Sequence, residues 1–430
     1  MGARPDPRKD PPREDGGGWV RRPVPPTIRD QAWALLMQGR RRWRLSLSVG
    51  LFMTAALGMA LAVSCAPRRA APPPVPVYTP VSITSLPGWT EDRLIEARAA
   101  LARTCGVLLK RDPASPLARG DSHAVDVAGS VAVWQTACRR LAMVSPDDSR
   151  AFRAFLEGTF QGLAVLPDRG QGQGLFTGYY EAHIRASRER GGPYQVPVHG
   201  VPDDLVTVEG KGWRLVDGET MPYHDRAAIE DGALEGVAPV LFWADDPVDL
   251  HILHIQGSGQ VSLADGGQTR IGYAANNGQP FVGIGRLVRE RGLADGGSMP
   301  AIRDWLRANP EAGRALMREN PRYIFFREIT GDGPIGAMGL PLEPLRSLAV
   351  DPAVIPLGAL VWLDTVDPDG RPLRRLMVAQ DTGSAIKGVV RGDVFWGAGE
   401  AAFHVAGRMK RPGRYYLLVP RGVNDTLRLM

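Results

Sequence analysis

The sequence predicts a mainly β fold with flanking helices. Two patterns carry that prediction. From Leu175 onward, short apolar runs are broken by Gly and Pro at regular intervals, as in a β-barrel or sandwich. Before them, three stretches place apolar residues at helical spacing. Length and composition set the scale: 430 residues, 44% hydrophobic and 23% charged, suffice for two globular domains.

Residues 1–36 are rich in Pro, Gly and Arg and have no sustained periodicity, so they read as disordered. Arg40, Arg41, Arg42 and Arg44 then precede an uncharged run from Leu45 to Pro67. This is a positive n-region followed by an apolar segment of roughly membrane-spanning length. It ends in Leu61-Ala-Val-Ser-Cys65, which resembles a bacterial lipobox with Cys65 as the lipidated residue, although Ala62 stands where Leu is commonest. The competing reading is an uncleaved signal anchor. A signal starting at Met37 has ordinary proportions, which leaves residues 1–36 as an extra cytoplasmic tail or as the product of a misplaced start. Ala66–Pro80 is Pro/Ala-rich and predicts an extended, polyproline-like spacer.

Thr90–Arg111 predicts a helix: Thr90 can cap, Glu91 and Asp92 suit the N-terminus, and Leu94, Leu101, Cys105 and Leu108 form one face. Ser130–Met143 predicts a second, with Trp134, Cys138 and Leu141 aligned. Ser145-Pro146 opens a third, running through Phe152, Phe155 and Leu156. Strands are predicted at Leu175–Tyr180, Tyr194–Val198, Val240–Trp243, Leu250–Ile255 and Gln260–Leu263. Two helical stretches follow, Phe281–Arg291 and Pro300–Ala308. Strands resume at Tyr323–Phe326, Leu348–Val350, Leu360–Leu363, Leu376–Ala379, Val394–Trp396 and Arg414–Val419.

The net charge of +6 is not spread evenly. Residues 1–44 hold 11 of the 52 basic and 5 of the 46 acidic residues, so the body carries 41 of each. A neutral body argues against a nucleic-acid partner, which needs a basic surface. The three cysteines, Cys65, Cys105 and Cys138, and seven scattered histidines form no zinc-site spacing, and no metal or other cofactor is expected. His251 and His254 fall within an apolar run and read as satisfied core or strand-edge residues. Cys105 and Cys138 lie on apolar faces of adjacent helices. Outside the cytoplasm they are the expected disulfide pair, closing a loop worth roughly 3–4 kcal/mol in the chain-entropy model.

The stretch Ala379–Trp396 holds two carboxylates, Asp381 and Asp393, and little else suited to acid–base chemistry. Asp381 ends an apolar strand and opens Asp-Thr-Gly, where Gly383 permits a positive φ. Arg391-Gly392 reads as a turn that presents Asp393 before Val394-Phe-Trp396. Two strand ends can therefore bring both aspartates to one rim. Phe395 or Trp396 beside a carboxyl would raise its pKa by desolvation, as a general acid near neutral pH requires. Gly257-Ser-Gly259 lacks the Gly-x-Ser-x-Gly elbow of a serine hydrolase. Asp381-Thr-Gly383 is the tripeptide of aspartic proteases, but the chain carries a single copy where those enzymes need two.

This stretch resembles the C-terminal three-aspartate domain of the membrane-bound lytic transglycosylase A family, which cleaves peptidoglycan. The three aspartates match Asp351, within Ser347-Leu-Ala-Val-Asp-Pro-Ala-Val-Ile-Pro-Leu-Gly358, then Asp381 and Asp393. Upstream, Gly174-Leu-Phe-Thr-Gly-Tyr-Tyr-Glu181, His254-Ile-Gln-Gly-Ser-Gly259, Gly272-Tyr-Ala-Ala-Asn-Asn-Gly278 and Asn320-Pro-Arg-Tyr-Ile-Phe-Phe326 look like family signatures in the same order. The resemblance runs from about Trp89 to the C-terminus. It implies a double-psi β-barrel formed by residues 89–179 and 319–430, a smaller β-domain inserted at 180–318, and a groove between them. Residues 1–64 would be tail and export signal or anchor, and 65–88 the linker.

The resemblance also implies a reaction. A lytic transglycosylase cleaves the β-1,4 bond between N-acetylmuramic acid and N-acetylglucosamine without water, because the substrate's own 6-hydroxyl attacks C1 and leaves a 1,6-anhydro end. One carboxyl can then do both proton transfers, and proximity does much of the rest. The family pattern puts that acid/base at Asp393, with Asp381 beside it in the catalytic pair and Asp351 as a structural turn residue. Tyr179 and Tyr180 offer stacking faces, and Gln256, Gly257, Ser258, Thr382 and Gly383 offer hydrogen bonds to sugar. Alternation along a strand sends one of the two tyrosines to the core. The implied partners are glycan strands and, through Cys65 or the anchor, a membrane, with other cell-wall enzymes left open. The implied location is the periplasmic side of a bacterial envelope, as an outer-membrane lipoprotein. The non-enzymatic alternative is a peptidoglycan-binding module that keeps the groove and does not need Asp393.

Overall fold

The computed structural model describes residues 72–294, 298–331 and 333–422. The N-terminal tail, the uncharged run and Cys65 lie outside the described residues. Among the described residues, no helix is long and apolar enough to cross a membrane.

The chain is mainly β with flanking helices, as the patterning predicts. Its centre is a closed ring of six strands. Gly174–Ser187 pairs in parallel with Arg391–Ala398, which pairs antiparallel with the short strand Ser347–Val350. That strand runs parallel to Pro372–Asp381, which pairs with Leu360–Val366. Lys410–Pro420 then returns from Leu360–Val366 to the start of Gly174–Ser187 and closes the ring. Strand Phe160–Pro167 adds to Lys410–Pro420, and Pro76–Val81 adds to its outer edge. Prolines suit an edge because no neighbour needs their missing N–H. The Pro-rich spacer expected up to Pro80 is thus paired sheet from Pro76 onward.

Three helices, Arg98–Leu108, Val131–Ala142 and Ser149–Thr159, pack their apolar faces into the same core as the ring. The first is shorter than expected because Leu94–Ala97 forms a separate 3-10 turn. The third starts later than Ser145, where the Asp148 side chain accepts the Ala151 N–H at 2.8 Å. A disulfide joins Cys105 to Cys138 across the first two helices.

The strand Gly174–Ser187 does not end with the ring. Its residues Ala182–Ala186 pair with Ser258–Leu263, and a second sheet continues through Gln268–Asn276 to Ile324–Ile329, with Val240–Ala244 and Val196–His199 alongside. Helices Pro247–Gln256, Met299–Ala308, Pro310–Arg318 and Gly399–Ala406 cover this sheet with a second core. The three-stranded sheet Leu205–Val208, Lys211–Val216 and Glu219–Pro222 was not anticipated.

One strand expectation is overturned. Leu250–Ile255 is helix, not strand, within Pro247–Gln256. Its ends are marked: Asp246 accepts the Val248 N–H at 2.7 Å, Pro247 occupies the first turn, and Gly257 closes the helix at φ 82°. A short apolar run has no period that tells strand from buried helix, and here the caps decide.

A buried ion cluster ties the N-terminal segment to the ring. The Arg346 guanidinium, 1% exposed, donates to both oxygens of Asp92 at 2.7 and 2.9 Å and to Glu96 at 2.7 Å. Asp92 also accepts from Arg375 and from the Leu376 N–H. Those donors hold its carboxyl below the usual range despite the opposing effect of burial. Removing one member of a buried pair is costly because the other charge stays in the interior. Arg346→Met should therefore destabilise the protein by about 3 kcal/mol, the low end of the range because Arg375 still reaches Asp92. The shift of the urea midpoint at neutral pH measures this.

Candidate active site

The short strand Ser347–Val350 places both candidate carboxylates. Ala349 is in register with Asp381 on one side and with Asp393 on the other. Asp393 is in turn level with Thr177 of the long strand. Asp381, Ala349, Asp393 and Thr177 thus form one row across four strands. Two strand spacings put the aspartate backbones about 10 Å apart. Two residues beyond Thr177, on the same face of its strand, Tyr179 reaches back over the row.

The two carboxylates are wired differently. Asp381 Oδ1 accepts the N–H groups of Thr382 at 2.9 Å and Ala337 at 3.0 Å, and Oδ2 accepts the Tyr179 hydroxyl at 3.0 Å. Asp393 Oδ1 accepts the Thr177 hydroxyl at 2.6 Å. Thr177 accepts in turn from Arg391 Nη2 at 2.9 Å, so its proton is directed at Asp393. Among the described residues, no hydrogen bond reaches Asp393 Oδ2. Burial pushes Asp393 up to about 6, against the Arg391 charge and the Thr177 hydrogen bond, with a further push from Asp381. Burial also pushes Asp381 up to about 6, against its three donors. The Tyr179 phenol is held well above its ordinary value by burial and then by both carboxylates. Its ring lies 5.2 Å from that of Phe395, the buried aromatic anticipated beside Asp393.

The remaining predicted residues separate into those near the row and those away from it. Thr382 touches the site through its amide. Gly383 has no positive φ, contrary to expectation; a Cβ there would lie 2.7 Å from the Ile386 side chain, so close packing explains the glycine. Tyr180 points away and packs on Phe403 in the second core. Gln256 is occupied as acceptor of the Tyr180 N–H at 3.2 Å. Gly257 and Ser258 flank the long strand near Glu181, about 13 Å along it from Thr177. Asp351 is not in the row. It accepts from Ala353 N, Gly388 N and Lys387 Nζ and pins the turn between the two aspartate strands.

Thr177, Arg391 and Ala337 escaped sequence reasoning. Arg391 read as a turn residue, but the strand Arg391–Ala398 begins with it. Thr177 was findable, since it lies two residues before Tyr179 within the Gly174–Glu181 signature. Ala337 N comes from a segment anchored at a distance. Arg270 donates to Gly331 O at 2.9 Å while the buried Glu181 accepts from Arg270 and Gln260, both at 3.0 Å.

Both aspartates bind protons more tightly folded than unfolded, so they favour the folded state at low pH. Their contribution is complete below about pH 4 and is lost as pH rises through about 6. Asp393→Asn should therefore raise the thermal midpoint at pH 7 and leave it nearly unchanged at pH 4. Equal shifts at both values would contradict the burial account.

Comparison with known proteins gives the family. Residues 175–327 match the MltA specific insert domain, and residues 346–419 match the 3D domain. The membrane-bound lytic murein transglycosylase A of Vibrio cholerae is 33% identical over 258 residues, 58% of this chain and 66% of that protein. The curated relative is therefore matched over about two thirds of its length. The crystal structure of MltA from Neisseria gonorrhoeae superposes with a TM-score of 0.67 at 33% identity, covering 83% of this chain and 98% of that one. E. coli MltA with bound chitohexaose gives 0.54 at 30% identity, covering 67% and 82%. On two matched domains and near-complete coverage of a solved relative, the chain belongs to the membrane-bound lytic murein transglycosylase A family.

Proposed function

We propose that the protein is a peptidoglycan lytic transglycosylase in which Asp393 is the single acid/base. One observation carries the choice. Burial raises both aspartates, but Asp381 has both oxygens committed to three donors, whereas Asp393 keeps Oδ2 free. A group that must give up a proton and take one back needs an uncommitted oxygen. The bound chitohexaose of the E. coli relative supports a glycan ligand.

In the proposed reaction Asp393 starts protonated. Its Oδ2–H protonates the glycosidic oxygen as the bond from C1 of N-acetylmuramic acid breaks. The 6-hydroxyl oxygen of the same sugar bonds to C1, and its proton passes to the Asp393 carboxylate. The product is a 1,6-anhydro end, and Asp393 ends as it began. Thr177 fixes the carboxyl's orientation, and Arg391 fixes the threonine. Asp381 holds Tyr179 over the row and adds negative charge that keeps the Asp393 proton in place. The Tyr179 ring offers a face to a sugar.

The six-stranded ring is read as a double-psi barrel of residues 89–179 and 319–430, with 180–318 inserted and the glycan in a groove between the two parts. Asp351 is assigned a structural role. Envelope location follows from the family. Lipidation at Cys65 and a periplasmic-facing enzyme complete the reading, with other cell-wall enzymes as further partners.

Digestion of purified sacculi followed by mass analysis of the muropeptides tests the reaction: anhydro ends are expected, and reducing ends would identify a hydrolase instead. Asp393→Asn should lower cleavage at least a hundredfold, the ordinary contribution of a general acid–base group, while glycan binding persists. Because the acid form starts the cycle, the wild-type rate should fall as pH rises through about 6. Should Asp393→Asn retain activity while Asp381→Asn is dead, the acid/base role passes to Asp381.

A further inference from the structure

A cavity with a volume of about 1000 Å³ lies within the part of the chain built on the second sheet. None of Thr177, Tyr179, Asp381 or Asp393 lines it. Helix Pro247–Gln256 turns Pro247, Leu250, His251 and His254 toward it, residues that share one helical face. That helix packs with Ala182, Ile184 and Ala186 of the long strand, the residues that alternate away from the Thr177 and Tyr179 face. The cavity is therefore separate from the carboxylate row.

Its chemistry is unusual in three respects. First, buried hydrogen-bonding capacity is left over. His251 and His254 are 2% and 6% exposed, and burial with the nearby Arg226 charge keeps both imidazoles neutral. Neither ring nitrogen of His251 has a partner. His254 Nδ1 faces Arg226 Nη2 at 3.0 Å, which puts its proton on Nε2, and that atom is also unpartnered. Second, most charges around the cavity are matched: Arg307 with Asp246 and Asp249, Arg318 and Arg314 with Asp231, Arg226 with Glu230. Third, one charge of each sign is not. Among the described residues, neither Arg190 nor Glu235 has an ion-pair partner, and both are exposed at the cavity wall. Arg190 lies over the Trp243 ring at 5.1 Å and donates to the neutral Gln195 at 2.9 Å.

An unmatched cation, an unmatched anion, apolar walls such as Val196, Leu234 and Met317, and neutral imidazoles below them describe the complement of a zwitterion with an aliphatic body. We propose that this cavity binds a short zwitterionic peptide, with its carboxylate at Arg190, its ammonium at Glu235 and its amide groups toward the histidines. The volume is at the upper end for small-ligand pockets, which suits a tripeptide or tetrapeptide. Resting on the proposed function, the source of such a peptide is the stem of murein, which carries amine and carboxylate groups together. The helix that walls the cavity ends at Gln256, whose side chain holds the Tyr180 N–H beside Tyr179. The same helix thus touches both the cavity and the strand that carries Tyr179.

Isothermal titration of the full chain tests this. The probes are the stem tetrapeptide L-alanyl-γ-D-glutamyl-diaminopimelyl-D-alanine, tetra-alanine, and acetylated, amidated tetra-alanine without end charges. Both zwitterions should bind with a Kd of about 1 mM or tighter, and the capped peptide should not. Arg190→Ala and Glu235→Gln, both at exposed positions where folding is not at risk, should each weaken binding about tenfold or more. No binding of either zwitterion, equal binding of the capped peptide, or unchanged binding in either variant would overturn the site. Binding of tetra-alanine without the stem peptide would overturn the murein assignment. Peptide binding by a protein that leaves no anhydro ends on sacculi would separate the failure of the proposed function from that of the cavity.

Discussion

Everything at the candidate site depends on the short strand Ser347–Val350 being held between two neighbours. It is buried throughout, and it pairs in parallel on one side and antiparallel on the other. A strand paired on both edges has no freedom to slip, because a one-residue slip would turn every side chain to the opposite face. Ala349 therefore fixes the level of Asp381 and Asp393 at once. The residue before the strand, Arg346, sits in the ion cluster with Asp92 and Glu96. Such a cluster adds little net stability after desolvation, but it admits few alternative arrangements. Its Arg346 directly precedes the strand whose register sets the row.

Asp381 is fixed a second time through its neighbour. Gln380, fully buried, donates to Ala100 O and Thr104 Oγ1 of the first helix and accepts from Ser347 Oγ at 2.6 Å. The disulfide ties that helix to the next. The N-terminal helices thus act on the site without touching it. Similar burial raises the two carboxyls alike, and hydrogen bonding then distinguishes them. Three donors make Asp381 a fixed acceptor. One donor and a free oxygen leave Asp393 able to exchange its proton.

Much of this was legible in the sequence, and the exceptions share a cause. Asp381 was readable because it ends a strand with a marked boundary, and the three-aspartate spacing singled out both it and Asp393 and named their family. Cys105 and Cys138 were readable because helical periodicity placed each on an apolar face. The Thr177–Asp393 contact was not, because it joins residues 216 positions apart. Local pattern carries no information on which strand lies beside which. Ala337 N was hidden for the same reason. The helix Pro247–Gln256 was misread for a different one. Its apolar run suits either structure, and the caps at Asp246, Pro247 and Gly257 carried the information instead. His251 and His254 are core residues as read, but three of their four ring nitrogens lack partners among the described residues.

The strand Gly174–Ser187 supplies the last constraint. Over 14 residues it belongs first to the ring and then to the second sheet. Both halves are paired in parallel, so moving one sheet against the other would require breaking ladder hydrogen bonds near Tyr179 and Glu181. A hinge at this junction is therefore costly, and Tyr179 stands beside it. Rigidity suits the proposed chemistry. A ring closure that uses the substrate's own hydroxyl gains its rate from holding reacting groups in place. A loosely placed acid would lose that advantage, and would admit the water that the reaction must do without.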